Sequence, residues 1–366
     1  NTNSNTITLD LSSSSDIDLS DNTIDSEITH INLGTKTGVV LSIDQVKNNT
    51  IQGTGTYIIK DTAVKIKAAG DLSGGSTASD VAGFKALYGA TEIQITGWDS
   101  KGATSVVEIG KDNPNVVTAA GRIAGFNLPS TITTKLIVPA GGLKKDGNKI
   151  GTLTAAMSQD MKYIDQIVFE GNDNDLSIED AVFDPDAKTT NFVGLSAFTT
   201  TGTGTDITIT ETGANNNGSE IDLQRITDVT GITSFNVTGD LGANVIQLSS
   251  ALSTSGKTTV DLGNDAVADS IIFVADKGTF SGTGGDAIAY TTVSNFKAAN
   301  DRYGLYYTGF TGDGTGKYGI ARSRSTSAGS SSKTPLDQDL LYIEDDANTV
   351  TGNVANVNTV TEVKDV

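Results

Sequence analysis

The chain of 366 residues carries 44 acidic against 25 basic side chains, and its formal net charge is −19. A nucleic-acid-binding protein needs a basic face that releases counterions from phosphates, so this charge excludes that class and disfavours an anionic membrane surface as a partner. The absence of cysteine excludes disulfides, thiolate zinc sites and cysteine nucleophiles. No apolar run of about 18 residues occurs, so we expect no membrane insertion.

Alternation of apolar and polar residues dominates the chain and predicts short β-strands with one buried face. It occurs at Ile7–Leu11, Ile17–Leu19, Ile31–Leu33, Tyr57–Ile59, Ile93–Ile95, Ile207–Ile209, Phe235–Val237 and Val260–Leu262. The sequence Gly53-Thr54-Gly55 indicates a hairpin turn between two such strands.

Helical periodicity is rare. It is clearest at Asp80–Tyr88, which predicts one short helix with Ser79 or Asp80 as its N-cap. Short helical turns are also predicted to start at Ser42 and Ser177.

An internal repeat links Ile28–Val46, Ile164–Ala181 and Ile232–Ala251. In each copy a strand is followed, after a short connection, by Leu-Ser and a small amphipathic segment. Stacked β-units produce such repetition, because one unit cannot bury its apolar face alone. Chance similarity among short β-patterns is the alternative explanation.

Glycine, proline and charged residues interrupt the strand pattern at Pro139–Asn148 and indicate a boundary. We therefore expect an N-terminal β module with short helices at residues 1–140 and a C-terminal assembly module, β-solenoid or β-roll-like, at 150–366. The expected fold class is mainly β: stacked β-sandwich or β-solenoid modules, a few short helices and a degenerate β-roll-like C-terminal region.

Two segments combine tight turns with carboxylates in the manner that calcium requires, since this ion takes six to eight oxygen ligands. One is the turn containing Asp265, which is followed by Asp269 and an apolar strand. The other is the acidic segment Glu170–Asp175, with Asp173 and Asp175 as candidate ligands. A plain solvated turn is the competing interpretation of the second segment.

The segment Leu262-Gly263-Asn264-Asp265 resembles the glycine- and aspartate-rich nonapeptide of type-I-secreted calcium-binding repeat proteins. Gly282–Ile288 is a second partial copy, which adds Asp286 to the calcium candidates. The order of Asp269–Phe273, Thr292–Leu305 and Asp339–Asn348 looks like the closing module of the same family, although Asn295 and Asn300 stand where its corner usually has Asp and Gly.

In the N-terminal half, Leu41–Val46, Gly55–Ala63 and Ala90–Gly97 look like units of large bacterial surface-layer and adhesin proteins. The two resemblances together imply a secreted, extracellular cell-surface protein. They also imply calcium as a cofactor, other copies of the chain as partners in a lattice, and cell-surface polysaccharide or lipopolysaccharide as a further partner.

The leading functional hypothesis is a structural, non-enzymatic surface-layer component that self-assembles into a two-dimensional lattice. A type-I-secreted adhesin fragment that binds host or matrix is the alternative. A polysaccharide-acting β-solenoid enzyme is a further alternative, although the only histidine, His30, has no partner motif and no catalytic spacing stands out.

Overall fold

The computed structural model describes residues 6–13, 17–69, 82–97, 131–145, 148–155, 164–184, 192, 194–210, 218–239, 242–263, 267–275, 291–295 and 301–307. The protein is mainly β, as expected, and four of the five sheets of the described residues are built of parallel strands. The strands are β1 (Ile7–Asp10), β2 (Ile28–Asn32), β3 (Val39–Leu41), β4 (Thr50–Gln52), β5 (Tyr57–Asp61), β6 (Glu92–Ile95), β7 (Thr133–Val138), β8 (Lys144–Lys145), β9 (Asn148–Lys149), β10 (Thr152–Leu153), β11 (Gln166–Phe169), β12 (Leu176–Glu179), β13 (Ala197–Thr200), β14 (Asp206–Thr210), β15 (Glu220–Leu223), β16 (Ser234–Thr238), β17 (Val245–Leu248), β18 (Thr258–Asp261), β19 (Ser270–Ala275), β20 (Thr292–Ser294) and β21 (Arg302–Tyr307).

The helices of the described residues are short: α1 (Ile43–Asn48), α2 (Ala63–Ala69), α3 (Ala82–Gly89) and α4 (Ser250–Thr254), with a 3-10 turn at Asp180–Val182. The chain divides into two compact units. The first contains residues 1–151, 156–174 and 192–202, and the second contains residues 152–155, 175–191 and 203–366.

Among its described residues the first unit contains two parallel sheets, ordered β1-β2-β4 and β13-β11-β7-β6-β5-β3, and the antiparallel pair β8-β9. Neighbouring strands place like residues side by side, as where Ile59 pairs with Ile93. The alternation predicted from the sequence appears as alternating burial, and the inward side chains form the core of this unit. Its fully buried members include Ile31, Leu33, Leu41, Ile59, Ile93, Ile95, Leu136, Ile167, Phe169 and Phe198.

The hairpin predicted at Gly53–Gly55 is wrong. These residues join β4 to β5, which belong to different sheets, and among the described strands only β8 and β9 pair antiparallel. Alternation reports that one face of a strand is buried but not the direction of its neighbour. Gly53 has a φ of 93° and forms a corner over Gly34, whose carbonyl oxygen accepts the Thr54 N–H at 2.7 Å.

The second unit contains sheets ordered β10-β12-β14-β16-β18-β20 and β15-β17-β19-β21. From β14 onwards the chain contributes one strand to each sheet in turn, so consecutive strands along the chain never pair with each other. The pairing is in register, with Phe235 opposite Thr258 and Val245 opposite Ser270. Inward side chains are buried throughout: Ile178, Ile207, Ile209, Ile221, Leu223, Phe235, Val237, Ile246, Leu248, Val260 and Ile271.

The internal repeat is confirmed in its first and third copies. In both, two strands are followed by a helix whose N-cap is the serine of the Leu-Ser pair. The Ser42 Oγ accepts the Gln45 N–H at 3.2 Å, and the Ser249 Oγ accepts the Leu252 N–H at 3.2 Å. In the second copy Ser177 lies within β12 and the helical turn begins at Asp180, so the helix start predicted at Ser177 is wrong.

The other local predictions have mixed outcomes. Seven of the eight alternating segments contribute to strands, and the eighth, Ile17–Leu19, makes a single bridge between Asp18 and Val40. The predicted helix corresponds to α3, in which Leu87 is fully buried. Its proposed caps, Ser79 and Asp80, lie outside the described residues, as does the chain beyond Tyr307.

Candidate functional site

A column of polar residues stands directly before the strands of the sheet β15-β17-β19-β21. We call Ser219, Asn244, Asp269 and Asp301 the polar column. The Ser219 N–H donates to Asn244 Oδ1 at 3.1 Å, and the Asn244 N–H donates to Asp269 Oδ1 at 2.8 Å. The Asp269 N–H donates to Asp301 Oδ1 at 3.1 Å. The side chains of Asn244, Asp269 and Asp301 thus each accept a backbone N–H directly before the neighbouring strand.

Three of its four residues are buried: Asn244 is 0% exposed, Asp269 2% and Asp301 3%, whereas Ser219 is half-buried. A buried backbone N–H without an acceptor costs about 1–3 kcal/mol, and a hydrogen bond to a charged group contributes about 1.5–3 kcal/mol. Backbone hydrogen bonds join the same strand starts. The Val245 N–H donates to the Ser219 carbonyl and the Ser270 N–H donates to the Asn244 carbonyl, both at 2.8 Å. The polar column therefore fixes the register of this sheet.

The same arrangement occurs twice among the described residues of the first unit. The Thr56 hydroxyl, directly before β5, accepts the N–H of Gly38, directly before β3, at 3.0 Å. Asp165 is buried directly before β11, and its Oδ2 accepts the Thr134 N–H at 2.8 Å and the Thr134 hydroxyl at 3.0 Å. The Ser196 N–H donates in turn to the Asp165 carbonyl at 2.9 Å. A short polar side chain before a strand is thus a recurring way to hold neighbouring strands together.

The five predicted calcium ligands have different surroundings. Asp173 is exposed on the turn after β11, with a φ of 52°. Asp175 is exposed directly before β12, and its Oδ1 accepts the Asp206 N–H at 3.2 Å. Asp269 belongs to the polar column. Asp265 and Asp286 lie outside the described residues. Within the described ranges, no three acidic or histidine side chains come together to hold a metal ion.

Six aspartates, in strands or in the connections between them, close tight turns. In each case a carboxylate oxygen accepts the backbone N–H two residues further on, a bond that stabilises the turn and that aspartate forms readily. The donor and acceptor lie 2.8 to 3.0 Å apart at Asp10, Asp18, Asp25, Asp222, Asp228 and Asp261. These six carboxylates therefore have a structural role.

Asp18 also pairs with a lysine on the outer side of the first unit. The Lys60 Nζ lies 3.1 Å from Asp18 Oδ2. Burial raises the pKa of Asp18, but hydrogen bonds from the Ser20 side chain and backbone and from Lys60 outweigh it, so the net pKa lies below its ordinary value. Lys135 makes a similar contact with Glu92, at 2.6 Å. Both pairs are partly exposed, so each contributes at most about 1 kcal/mol.

The outward face of the sheet β12-β14-β16-β18-β20 carries two rows of short polar side chains, which we call the hydroxyl face. All ten side chains are half-buried or exposed. Along the first row the register pairs Ser177, Thr208, Asn236, Thr259 and Thr292; along the second row it pairs Glu179, Thr210, Thr238, Asp261 and Ser294.

The sequence prediction found Asp269 but missed the other three residues of the polar column. One signal was available: Ser219, Asn244 and Asp269 recur at intervals of 25 residues, each directly before an apolar-containing strand. The hydroxyl face was also missed as a unit. Its signal is a polar-apolar-polar triplet with Ile or Val at the centre, present in each of the five strands.

No protein-family model, no curated protein and no solved structure matches the chain. Across the described part of the chain, none of the helices has the length and apolar character needed to cross a membrane.

Proposed function

We propose that this chain is a structural component of a bacterial surface layer, a secreted protein whose β-solenoid units self-assemble into a two-dimensional lattice. The observation that carries the proposal is the alternation of successive strands between two parallel sheets of the second unit. In a solenoid, each turn of the chain, which we call a pass, adds one strand to every sheet. It covers the apolar edge of the pass before it.

The polar column supports a role in mechanical and structural rigidity. Two of its three hydrogen bonds are buried and the third is partly buried, and all three join residues of neighbouring passes. Because local interactions between adjacent passes stabilise a solenoid, a continuous column of this kind suits a protein that must stay ordered in an exposed coat.

The composition supports the extracellular part of the proposal. A chain with a net charge of −19 and no cysteine is soluble without disulfides and attracts divalent cations. We include calcium as a stabilising ion of the folded units, with Asp173, Asp175, Asp265 and Asp286 as candidate ligands. For Asp269 the carboxylate has a structural partner, the Asn244 N–H, which competes with any metal for that oxygen.

Electron microscopy of the purified chain tests the proposal. Ordered two-dimensional sheets are expected when calcium is present, and fewer or smaller sheets are expected in excess chelator. Magnesium at the same concentration is the control, because this ion demands a stricter octahedral geometry and gives up its water less readily. Failure to form sheets at any protein concentration with calcium would contradict the lattice. Unchanged sheets in chelator would contradict only the calcium part.

An adhesin is the second candidate, and the hydroxyl face is the observation that favours it, because a regular polar surface across five strands suits contact with a partner. The two candidates differ in how the protein is presented. Microscopy of the cell surface should show a continuous coat for the first and sparse fibres for the second. A polysaccharide-acting enzyme is tested by screening for cleavage of acidic polysaccharides, and we propose no catalytic residue.

A further inference from the structure

The hydroxyl face is unusual within its own unit. Eight of its ten positions are Ser, Thr or Asn, and the other two are Glu179 and Asp261. The outward positions of the second sheet, β15-β17-β19-β21, include Val245, Gln247 and Ile272 and follow no such pattern. The regularity therefore belongs to one sheet and is not a simple consequence of a threonine-rich chain.

The face has a two-dimensional repeat. Neighbouring strands in a sheet lie about 4.7–4.9 Å apart, and residues two apart along a strand are separated by about 6.6 Å. The five strands pair without a register shift, so the two rows run straight across the sheet. Threonine is β-branched and has a restricted χ1, which holds its hydroxyl and methyl groups in place before any partner binds.

The two carboxylates of the face are engaged by the protein itself. The Glu179 Oε2 accepts the Ala155 N–H at 2.7 Å. The Asp261 Oδ1 accepts the Gly263 N–H at 3.0 Å and the Asn295 amide at 2.6 Å. The two rows therefore offer a partner mainly neutral hydroxyl, amide and methyl groups. In the next outward pair of the same strands, the Ser234 hydroxyl donates to Asp206 Oδ1 at 2.7 Å.

The chemistry of the face excludes several classes of partner. It contains no lysine or arginine, so phosphate groups and acidic polysaccharides find no counter-charge. It contains no aromatic side chain, so it lacks both a platform for stacking sugar rings and the large anchors that concentrate binding energy in protein interfaces. These absences favour a neutral ligand, and the straight rows of the face suit one that is also rigid and periodic.

We propose that the hydroxyl face binds the surface of ice. The surface of ice is a neutral, rigid and periodic array of hydrogen-bond donors and acceptors, which is the kind of partner that two straight rows of short polar side chains fit. Hydroxyl and amide groups of the rows exchange hydrogen bonds with lattice water, and the threonine methyl groups lie between them. Each of these contacts is weak, but their binding free energies sum over the whole face. A rigid array loses little conformational entropy on binding, so little of this sum is offset. This activity does not depend on lattice formation by the protein.

Incorporation into a slowly grown ice crystal tests the proposal. The full chain, purified by size exclusion so that assemblies are absent, is expected to be enriched in the ice fraction relative to a non-binding protein of similar mass. It is also expected to slow ice recrystallisation. Exclusion of the wild-type chain from ice, to the level of the reference protein, would overturn the proposal.

Three variants locate the binding surface. Thr210→Tyr and Thr238→Tyr place a bulky group on the central strands of the face, and both are expected to reduce incorporation to the reference level. Gln247→Tyr places the same group on the outward side of β17 in the other sheet and is expected to match the wild type. Equal effects of Thr238→Tyr and Gln247→Tyr would contradict the assignment.

A milder change keeps the test valid if a tyrosine variant does not fold. Thr238→Val keeps the β-branched shape and the strand preference but removes one hydroxyl, and a partial loss of incorporation is expected with an unchanged melting temperature. As an independent measurement, the fluorescently labelled wild-type chain should decorate particular planes of a single ice crystal. Absence of decoration would again overturn the proposal.

Discussion

The backbone N–H of Asn244 donates a 2.8 Å hydrogen bond to the carboxylate of Asp269, which lies 25 residues further along the chain and before the neighbouring strand of the same sheet. Both residues are almost completely buried. This bond joins two passes of the chain at the point where each enters the sheet.

Replacement of Asp269 distinguishes a structural acceptor from a metal ligand. Asp269→Ala is expected to lower the free energy of unfolding by about 1–3 kcal/mol, because it leaves a buried N–H without its acceptor. Asp269→Asn keeps an oxygen at the same position, so a smaller loss is expected. Urea denaturation measures both, with Asp21→Ala at an exposed position as the control. If Asp269→Asn removes a stabilising effect of calcium, the carboxylate is a metal ligand as well.

Gly218 stands at a corner where a side chain has no room. Its φ is 77°, and a Cβ atom there would overlap the backbone of Ala243. Gly218→Ala is expected to cost about 1–3 kcal/mol from backbone strain, in addition to the overlap. Gly151→Ala is the matched control, because no atom lies within 4 Å of the position that its new methyl group would take and the φ is not positive. Equal melting temperatures for the two variants would contradict the close approach of the two passes.

Tyr57 links the first unit's main sheet to α3. Its hydroxyl donates to the Ala86 carbonyl at 2.7 Å, and burial raises its pKa to about 12. The folded state therefore holds the phenol proton more tightly than the unfolded state does. The stability that this provides is complete below pH 10 and is lost as the pH rises towards 12.

The comparison of wild type and Tyr57→Phe isolates this effect, since both share the other tyrosines. The variant is expected to be less stable at pH 7 by about 1–2 kcal/mol, because the buried carbonyl loses its donor. Between pH 10 and 12 the wild type should lose more stability than the variant. Parallel curves of unfolding free energy against pH would show that the Tyr57 hydroxyl is exposed to solvent.

Two serines of the repeat provide a matched pair. The Ser42 Oγ caps α1, and the Gln45 side chain completes a capping box by accepting the Ser42 N–H at 2.8 Å. Ser42→Ala is expected to cost about 1 kcal/mol, the usual value for an N-cap serine. Ser177→Ala, on the outward side of β12, is expected to change the stability by less than about 0.5 kcal/mol. The opposite order in thermal unfolding would mean that Ser177 is the helix cap, as the sequence pattern suggested.

Local patterns predicted the strands and not their partners. Alternation at Ile207–Ile209 and Phe235–Val237 marks strands with one buried face, and the structure confirms both. The same alternation is common in antiparallel sheets, so it led to the incorrect hairpin at Gly53–Gly55. Direction and order of pairing depend on which distant segment covers which edge, and no short window of sequence contains that information.

In the candidate site, too, the sequence indicates single residues but not the residues with which they pair. Asp269 stands out in the sequence because it lies between a glycine turn and an apolar strand. Its acceptor role depends on Asn244, which a pattern of turn residues and carboxylates does not indicate. The hydroxyl face requires the register of five strands, such as Thr210 opposite Thr238, before its regularity becomes visible.

The polar column has a direction. In each of its three bonds, the later residue of the chain supplies the side-chain oxygen and the earlier one supplies the N–H. Every pass thus satisfies a backbone group of the pass that precedes it, and this part of the protein can become ordered in sequence from its N-terminal side. A chain that emerges N-terminus first, from a ribosome or a narrow export channel, could therefore fold at the rate at which it appears. Each new pass would supply the hydrogen-bond acceptor for a backbone N–H of the pass before it.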